Sequence, residues 1–375
     1  MSVQVSYKKQ FTFGVVLCLI LLAAVEVTLR IYDYYNLGCN YIESGIYSEI
    51  SYYDQKSMCN DYRHIQDSGG FDRQLIPNQE SKTVHINNFG MRGPDIVKEK
   101  PDDTYRVFVI GGSTTFGSGV FSDNETIPSF LGKKFDVLLL DKKIEIINAG
   151  ITGNTSIEEN YRIKNELVNF QPDLFIIYDG INDVNLDIET HRDNSKLKAS
   201  IQKQFLTFTQ MILPEYKTIL LVPFTIHKIM WDLGIGGGHI MGDSQKIDET
   251  NILEKSSLWK DRWTEICDIG HEKEFKTIVI LQPIMGSGNK ILTNWEYEFL
   301  QTHGGDHNKR VYDKFATGLY DLEKSCHKAI DLRNVFDDHP EQVYFDTAHV
   351  SNRGNEIVAN KIFDIISPIV LEDIS

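Results

Sequence analysis

A chain of 375 residues, 41% of them hydrophobic, is long enough to bury one large α/β core with insertions. Its 53 acidic against 38 basic side chains leave a formal charge of -15. That charge repels phosphate backbones and anionic head groups alike, so nucleic acid is disfavoured as a partner and any membrane attachment must come from an apolar segment.

Such a segment comes first. Phe11 to Val25 reads FTFGVVLCLILLAAV without a charge, and continuing past Glu26 to Leu29 gives 19 residues, close to the roughly 20 that cross a ~30 Å hydrocarbon core. We read residues 1–10 as a cytoplasmic N-terminus and 11–30 as a single-pass transmembrane anchor, with Lys8 and Lys9 holding the short end inside and the body on the extracytoplasmic side. A cleaved signal peptide is the alternative, although no A-x-A site follows. Residues 31–103 are rich in Tyr, Asp, Ser and Asn, with turn signals from Asn87 to Pro94, and read as a stalk or cap region. The five cysteines, Cys18, Cys39, Cys59, Cys267 and Cys326, lack metal-ligand spacing. Cys39 and Cys59 either pair in an oxidising compartment or remain thiols, and the sequence leaves both open.

From residue 104 to 375 short β-branched runs alternate with amphipathic stretches, the pattern of a parallel sheet covered by helices. Strands are expected at Tyr105 to Ile110, Ile144 to Asn148, Leu174 to Tyr178, Thr277 to Leu281 and, more weakly, Ala329 to Leu332. Ser156 and Glu159 have the spacing of a capping box opening a helix that Gln171-Pro172 closes. Residues about 185–275 are too long for a simple crossover and are read as an insertion over the site, containing Ile219 to Phe224 and a glycine-rich loop from Asp232 to Asp243.

The chemistry-bearing residues sit where these strands end. The first strand runs into Gly111-Gly112-Ser113, which can expose a hydroxyl on a tight turn close to backbone donors. The second runs into a loop carrying Gly153 and the third into Gly180-Ile181-Asn182-Asp183. A backbone N–H at Gly153 and the Asn182 amide are neutral donors of the kind a developing oxyanion needs. Near the C-terminus Asp346 and His349 are three residues apart, a spacing that lets the carboxylate orient one imidazole nitrogen and leaves the other to take a proton from a serine. Taken singly, each block is also ordinary turn chemistry.

In this chain order the four blocks resemble the SGNH (GDSL-like) hydrolase superfamily, over roughly residues 105 to 366. The resemblance implies a three-layer α/β/α, flavodoxin-like fold with a parallel sheet of about five strands, preceded here by the N-terminal transmembrane helix. It implies Ser113 as nucleophile, Asp346 and His349 as the rest of a triad, and an oxyanion hole of Ser113 N–H, Gly153 N–H and Asn182. No cofactor and no metal are required. One departure is visible: the family's first block commonly reads Gly-Asp-Ser, and Gly112 stands in place of the aspartate.

The expected activity is hydrolysis of an ester, an O-acetyl group on surface carbohydrate being the substrate considered, with the membrane engaged through the N-terminal helix. An O-acetyltransferase using the same triad is the alternative within the chemistry. A non-catalytic carbohydrate-binding or assembly protein is the alternative outside it. His303-Gly-Gly-Asp306-His307 offers no third metal ligand and reads as a solvated loop.

Overall fold

The computed structural model describes residues 6–35, 39, 44–69, 73–138, 140–186, 188–192, 249–303 and 305–375, so Ile219 to Phe224 and Asp232 to Asp243 lie outside the described residues. The chain divides into two units, residues 1–38 with 199–240 and residues 39–198 with 241–375. The described part of the first unit is helix α1 (Tyr7–Tyr35). Its segment Tyr7–Ile31, which contains an 18-residue stretch of mean hydropathy 2.4, is long and apolar enough to cross a membrane, as an anchor or a signal sequence would be. Glu26 is tolerated at the end of the apolar run because Arg30, one turn on, pairs with it at 2.8 Å.

In the second unit helix α2 (Tyr52–His64) and the antiparallel pair β1 (Gln79–Glu80) and β2 (His85–Ile86) precede the main sheet. The segment read as a stalk or cap buries Tyr47, Met58, Leu75, Ile86 and Met91, and Tyr47 donates to the Gly119 carbonyl at 2.9 Å. The main sheet has five strands, β3 (Thr104–Gly111), β4 (Lys143–Asn148), β5 (Leu174–Asp179), β6 (Lys276–Leu281) and β7 (Lys328–Asp331). All neighbours are parallel, in the order β4-β3-β5-β6-β7.

Each expected strand is present, because continuous β-branched runs suit a strand buried on both faces. Alternate residues of β3 divide between those faces. Phe108 and Ile110 face α5 (Ser156–Asn165), α8 (Glu249–Lys273) and α10 (Gly305–Ser325), with Ile163, Trp263 and Phe315. Val107 and Val109 face α4 (Ile127–Asp136) and α11 (Asn352–Ile374), with Leu131, Phe135 and Ile362. The chain crosses from β4 back over β3 to reach β5, which puts the change of winding direction between β3 and β5, where open α/β folds place their ligands.

Two local features differ from the expected ones. The capping box of α5 is Thr155 with Glu158, one residue earlier, because the Ser156 hydroxyl is bonded to Asp183 and Glu159 is buried. Residues 249–273, within the span taken as an insertion, form α8, which leads into β6 and buries Trp259 and Trp263; Trp259 stacks on Phe315 with ring centroids 4.9 Å apart.

Cys39 pairs with Cys59, and Cys267 pairs with Cys326. The second disulfide ties α8 to the residue after α10, across a sequence separation of 59. Closing a loop of that length in the unfolded chain is worth about 4 kcal/mol on the chain-entropy account. Replacing both Cys267 and Cys326 by serine is therefore expected to lower Tm by roughly 10 °C in a melting experiment, and an unchanged Tm would show that the bond contributes nothing.

Candidate active site

Strand β3 ends at Gly111, and Ser113 is the first residue of the short helix α3 (Ser113–Phe116). The far end of that helix is held by Arg92, whose side chain is fully buried. Its Nη1 donates to the carbonyls of Phe116 (3.1 Å) and Gly117 (2.8 Å), Nη2 to the Thr83 carbonyl (2.9 Å) and Nε to Asp123 (2.6 Å). The Tyr62 hydroxyl also donates to the Gly117 carbonyl. A cation at these carbonyls, which the helix itself leaves without N–H partners, fixes the turn that carries Ser113. Sequence reading saw only turn signals from Asn87 to Pro94; an arginine inside such a run looks solvated until its partners are known.

After β7, a bridge between Tyr344 and Val350 closes a tight turn around Asp346 and His349. Asp346 Oδ1 accepts from the backbone N–H groups of Ala348 (2.9 Å) and His349 (2.7 Å), and Oδ2 lies 2.7 Å from His349 Nδ1. His349 Nε2 lies 2.7 Å from Ser113 Oγ. The Phe345 ring stacks on the imidazole, and the fully buried Glu296 accepts from the N–H groups of Val343 (3.1 Å) and Tyr344 (3.2 Å) just before the turn. Burial works against the charged imidazole, but the Asp346 charge and hydrogen bond outweigh it and raise His349 above its ordinary value. Burial likewise opposes the Asp346 carboxylate, yet His349 and the two N–H donors leave it below the usual carboxylate range.

Gly153 follows β4 with φ +77°, a left-handed conformation that costs glycine nothing. Asn182 lies in the first turn of α6 (Ile181–Asn185), beyond β5, and its Nδ2 donates to the Asn154 carbonyl at 2.6 Å. Neither the Ser113 N–H nor the Gly153 N–H is spent on a protein acceptor among the described residues. The structure thus brings Ser113, Gly153, Asn182, Asp346 and His349 to one edge of one sheet.

Close packing explains the glycine in the first block. A Cβ on Gly112 would overlap Asn182 Nδ2 and come within 3.4 Å of the Asn154 carbonyl. Gly112→Ala is therefore expected to displace the Asn182 amide and to lower kcat about 10²-fold, as the loss of one oxyanion donor does, with little change in Tm. Full activity in that variant would mean that the amide has no such role.

The two other nearby acids are committed elsewhere. Asp183 accepts from the Ser156 N–H (2.8 Å) and hydroxyl, tying α5 to α6. Asp179 accepts from Trp259 Nε1 at 2.8 Å, and burial with the Asp183 charge beside it pushes it well up. His303 stacks on Phe299 and lies 2.8 Å from that residue's carbonyl through Nδ1. Among the described residues no group of three His, Cys, Asp or Glu side chains gathers as a metal site.

The GDSL-like Lipase/Acylhydrolase family matches residues 107–362, about two thirds of the chain, and the chain belongs to that family. It is accordingly a hydrolase acting on ester bonds. No curated protein matches the chain in sequence. Among solved structures it is similar to a catalytic variant of an acetylxylan esterase from Geobacillus stearothermophilus, at 15% identity and a TM-score of 0.40, covering 69% of this chain and 93% of that one. It is similar too to a lipase/acylhydrolase from Enterococcus faecalis, at 16% identity and a TM-score of 0.40 over 70% of this chain and 95% of that one. A GDSL-like lipase from Bacteroides thetaiotaomicron is 13% identical, with a TM-score of 0.39 over 73% and 93% of the respective chains.

Proposed function

We propose that the chain is a membrane-anchored serine esterase whose substrates are O-acetyl groups on surface carbohydrate. The observation that carries the esterase reading is the unbroken relay from Asp346 through His349 to Ser113, with both hydrogen bonds at 2.7 Å. Neutral His349 takes the Ser113 proton as Oγ attacks the ester carbonyl. The tetrahedral oxyanion is held by Ser113 N–H, Gly153 N–H and the Asn182 amide. His349 then gives the proton to the leaving alcohol, and water activated on His349 cleaves the acyl-enzyme to release acetate and restore Ser113. No cofactor takes part in this sequence.

Disulfides persist in oxidising compartments, so the two cysteine pairs agree with a body held outside the cytoplasm by α1. There, neutral acylated glycans suit a body with a charge of -15 better than anionic polymers do. The protein is expected to stay in the membrane fraction through an alkaline carbonate wash, with protease reaching the body but not the N-terminus in sealed cells. Release of the intact chain by that wash would overturn the anchor.

The full chain in detergent should release acid from a chromogenic acetyl ester and acetate from an acetylated oligosaccharide. If neither ester is cleaved, or if Ser113→Ala cleaves them as fast, the esterase reading fails. Acetyl groups appearing on an added acceptor sugar in place of free acetate would make the enzyme a transferase working through the same triad.

A further inference from the structure

The loop bearing Gly153 is gripped from outside the catalytic fold by Arg73. The described chain beside this arginine is well pinned: Asp67 bridges Leu75, Ile76 N–H donates to the Gln66 carbonyl at 2.9 Å, and Ser68 N–H donates to the Gln74 carbonyl at 2.8 Å. Arg73 Nη2 donates to the Thr152 carbonyl and, at 2.7 Å, to Asn154 Oδ1. It therefore holds the residues on either side of Gly153, and it lies 3.8 Å from where a Gly153 Cβ would sit. The Asn154 carbonyl accepts from Asn182 Nδ2 on the other side. Asn154 thus links the guanidinium to the amide, with Gly153 between them. The Arg73 side chain retains 12% exposure, and its carboxylate partner Asp67 stands 3.6 Å from Nη1, leaving Nη2 to bond the loop.

We infer that Arg73 is a positioning residue for the oxyanion hole: it locks Thr152, Gly153 and Asn154 in the geometry that presents the Gly153 N–H and sets the Asn182 amide. This rests on the reading of Gly153 and Asn182 as oxyanion donors. The physical reason is preorganisation, since donors stabilise a developing charge only if they need not reorient during the reaction. Asn154 N–H donates to the Ile151 carbonyl at 3.1 Å and closes the turn, and the two Arg73 bonds add a side-chain restraint on either side of Gly153.

The test compares Arg73→Ala, Arg73→Lys and Asn182→Ala in the full chain on a chromogenic acetyl ester. Arg73→Ala is expected to lower kcat by about 10- to 10²-fold with KM changed less than about threefold, because the lost interaction acts on the transition state and not on substrate binding. Arg73→Lys, which keeps the charge and one donor, should recover part of that loss, and added guanidinium ion should raise the rate of Arg73→Ala but not of wild type. In the double variant with Asn182→Ala the losses should fall well short of additive, since both act through Asn154. If Arg73→Ala does not fold, Asn154→Ala removes one arm of the clamp and should show a smaller fall in kcat at unchanged KM. A rise in KM at constant kcat would overturn the inference by making Arg73 a substrate-binding residue, as would a lowered Tm with unchanged kcat. Activity surviving in Ser113→Ala would defeat the underlying reading instead; wild-type kcat in Arg73→Ala alongside slow Ser113→Ala and Asn182→Ala defeats the inference alone.

Discussion

Ser113→Ala and His349→Ala are each expected to lower kcat by roughly 10⁴- to 10⁶-fold, and the double variant should be no slower than the worse of the two. The reason lies in the 2.7 Å contact between His349 Nε2 and Ser113 Oγ: without the base the hydroxyl is a poor nucleophile, and without the hydroxyl the base has no proton to take. What survives is expected to be the contribution of the proposed oxyanion donors and of binding. The variants should fold, because His349 keeps 19% of its side-chain exposure and Ser113 is small. Steady-state kinetics on a chromogenic ester, with a melting curve for each variant, checks both parts. Additive losses would mean that the two residues do not act as one unit.

Asp346→Asn should lower the maximum rate by about 10⁴-fold and also change the shape of the pH profile. In the wild type the carboxylate raises His349 above its ordinary value, and the proposed mechanism uses the neutral imidazole. Activity is therefore present above that raised value and lost as pH falls through it, which puts the acid limb at higher pH than an ordinary histidine would. In the variant the raising influence is gone while burial, which favours the neutral ring, remains. The limb should then shift to lower pH even though the plateau is much lower. A full profile of kcat/KM separates the two effects. If both plateau and limb stay at wild-type values, Asp346 is not the partner of His349. Asp179 and Asp183 are poor substitutes, since Asp179 Oδ2 accepts from Trp259 and both Asp183 oxygens accept from Ser156.

How much of this was legible beforehand follows from the range over which each feature is decided. The five strands could be placed to within a residue or so because a strand buried on both faces must be a short run of β-branched and aromatic residues, and that run is local. Asp346 and His349 could be paired on paper because a three-residue turn is local too. The capping box of α5 was displaced by one residue because Ser156 and Glu159 have the right spacing, yet the Ser156 hydroxyl is claimed by Asp183, 27 positions away. The role of the glycine-rich first block in seating Asn182 was invisible for the same reason, Gly112 and Asn182 being 70 positions apart.

By itself, then, the sequence determined the strand positions, the order of the four blocks and the apolar span of α1. A parallel sheet guarantees that loops following its strands emerge at one edge, so residues far apart in the chain were assignable to a common place without knowing their contacts. Only the tertiary structure decided what holds that edge in shape: Arg92 on the carbonyls behind Ser113, Arg73 on the loop around Gly153, Glu296 beneath the histidine turn and the disulfide between Cys267 and Cys326. Each of these joins a side chain to a group more than 20 residues away, and no local periodicity encodes such a pairing. A buried arginine that bonds backbone carbonyls and a solvated one on a turn are the same letter in the same kind of run, and they are told apart only by what folds against them.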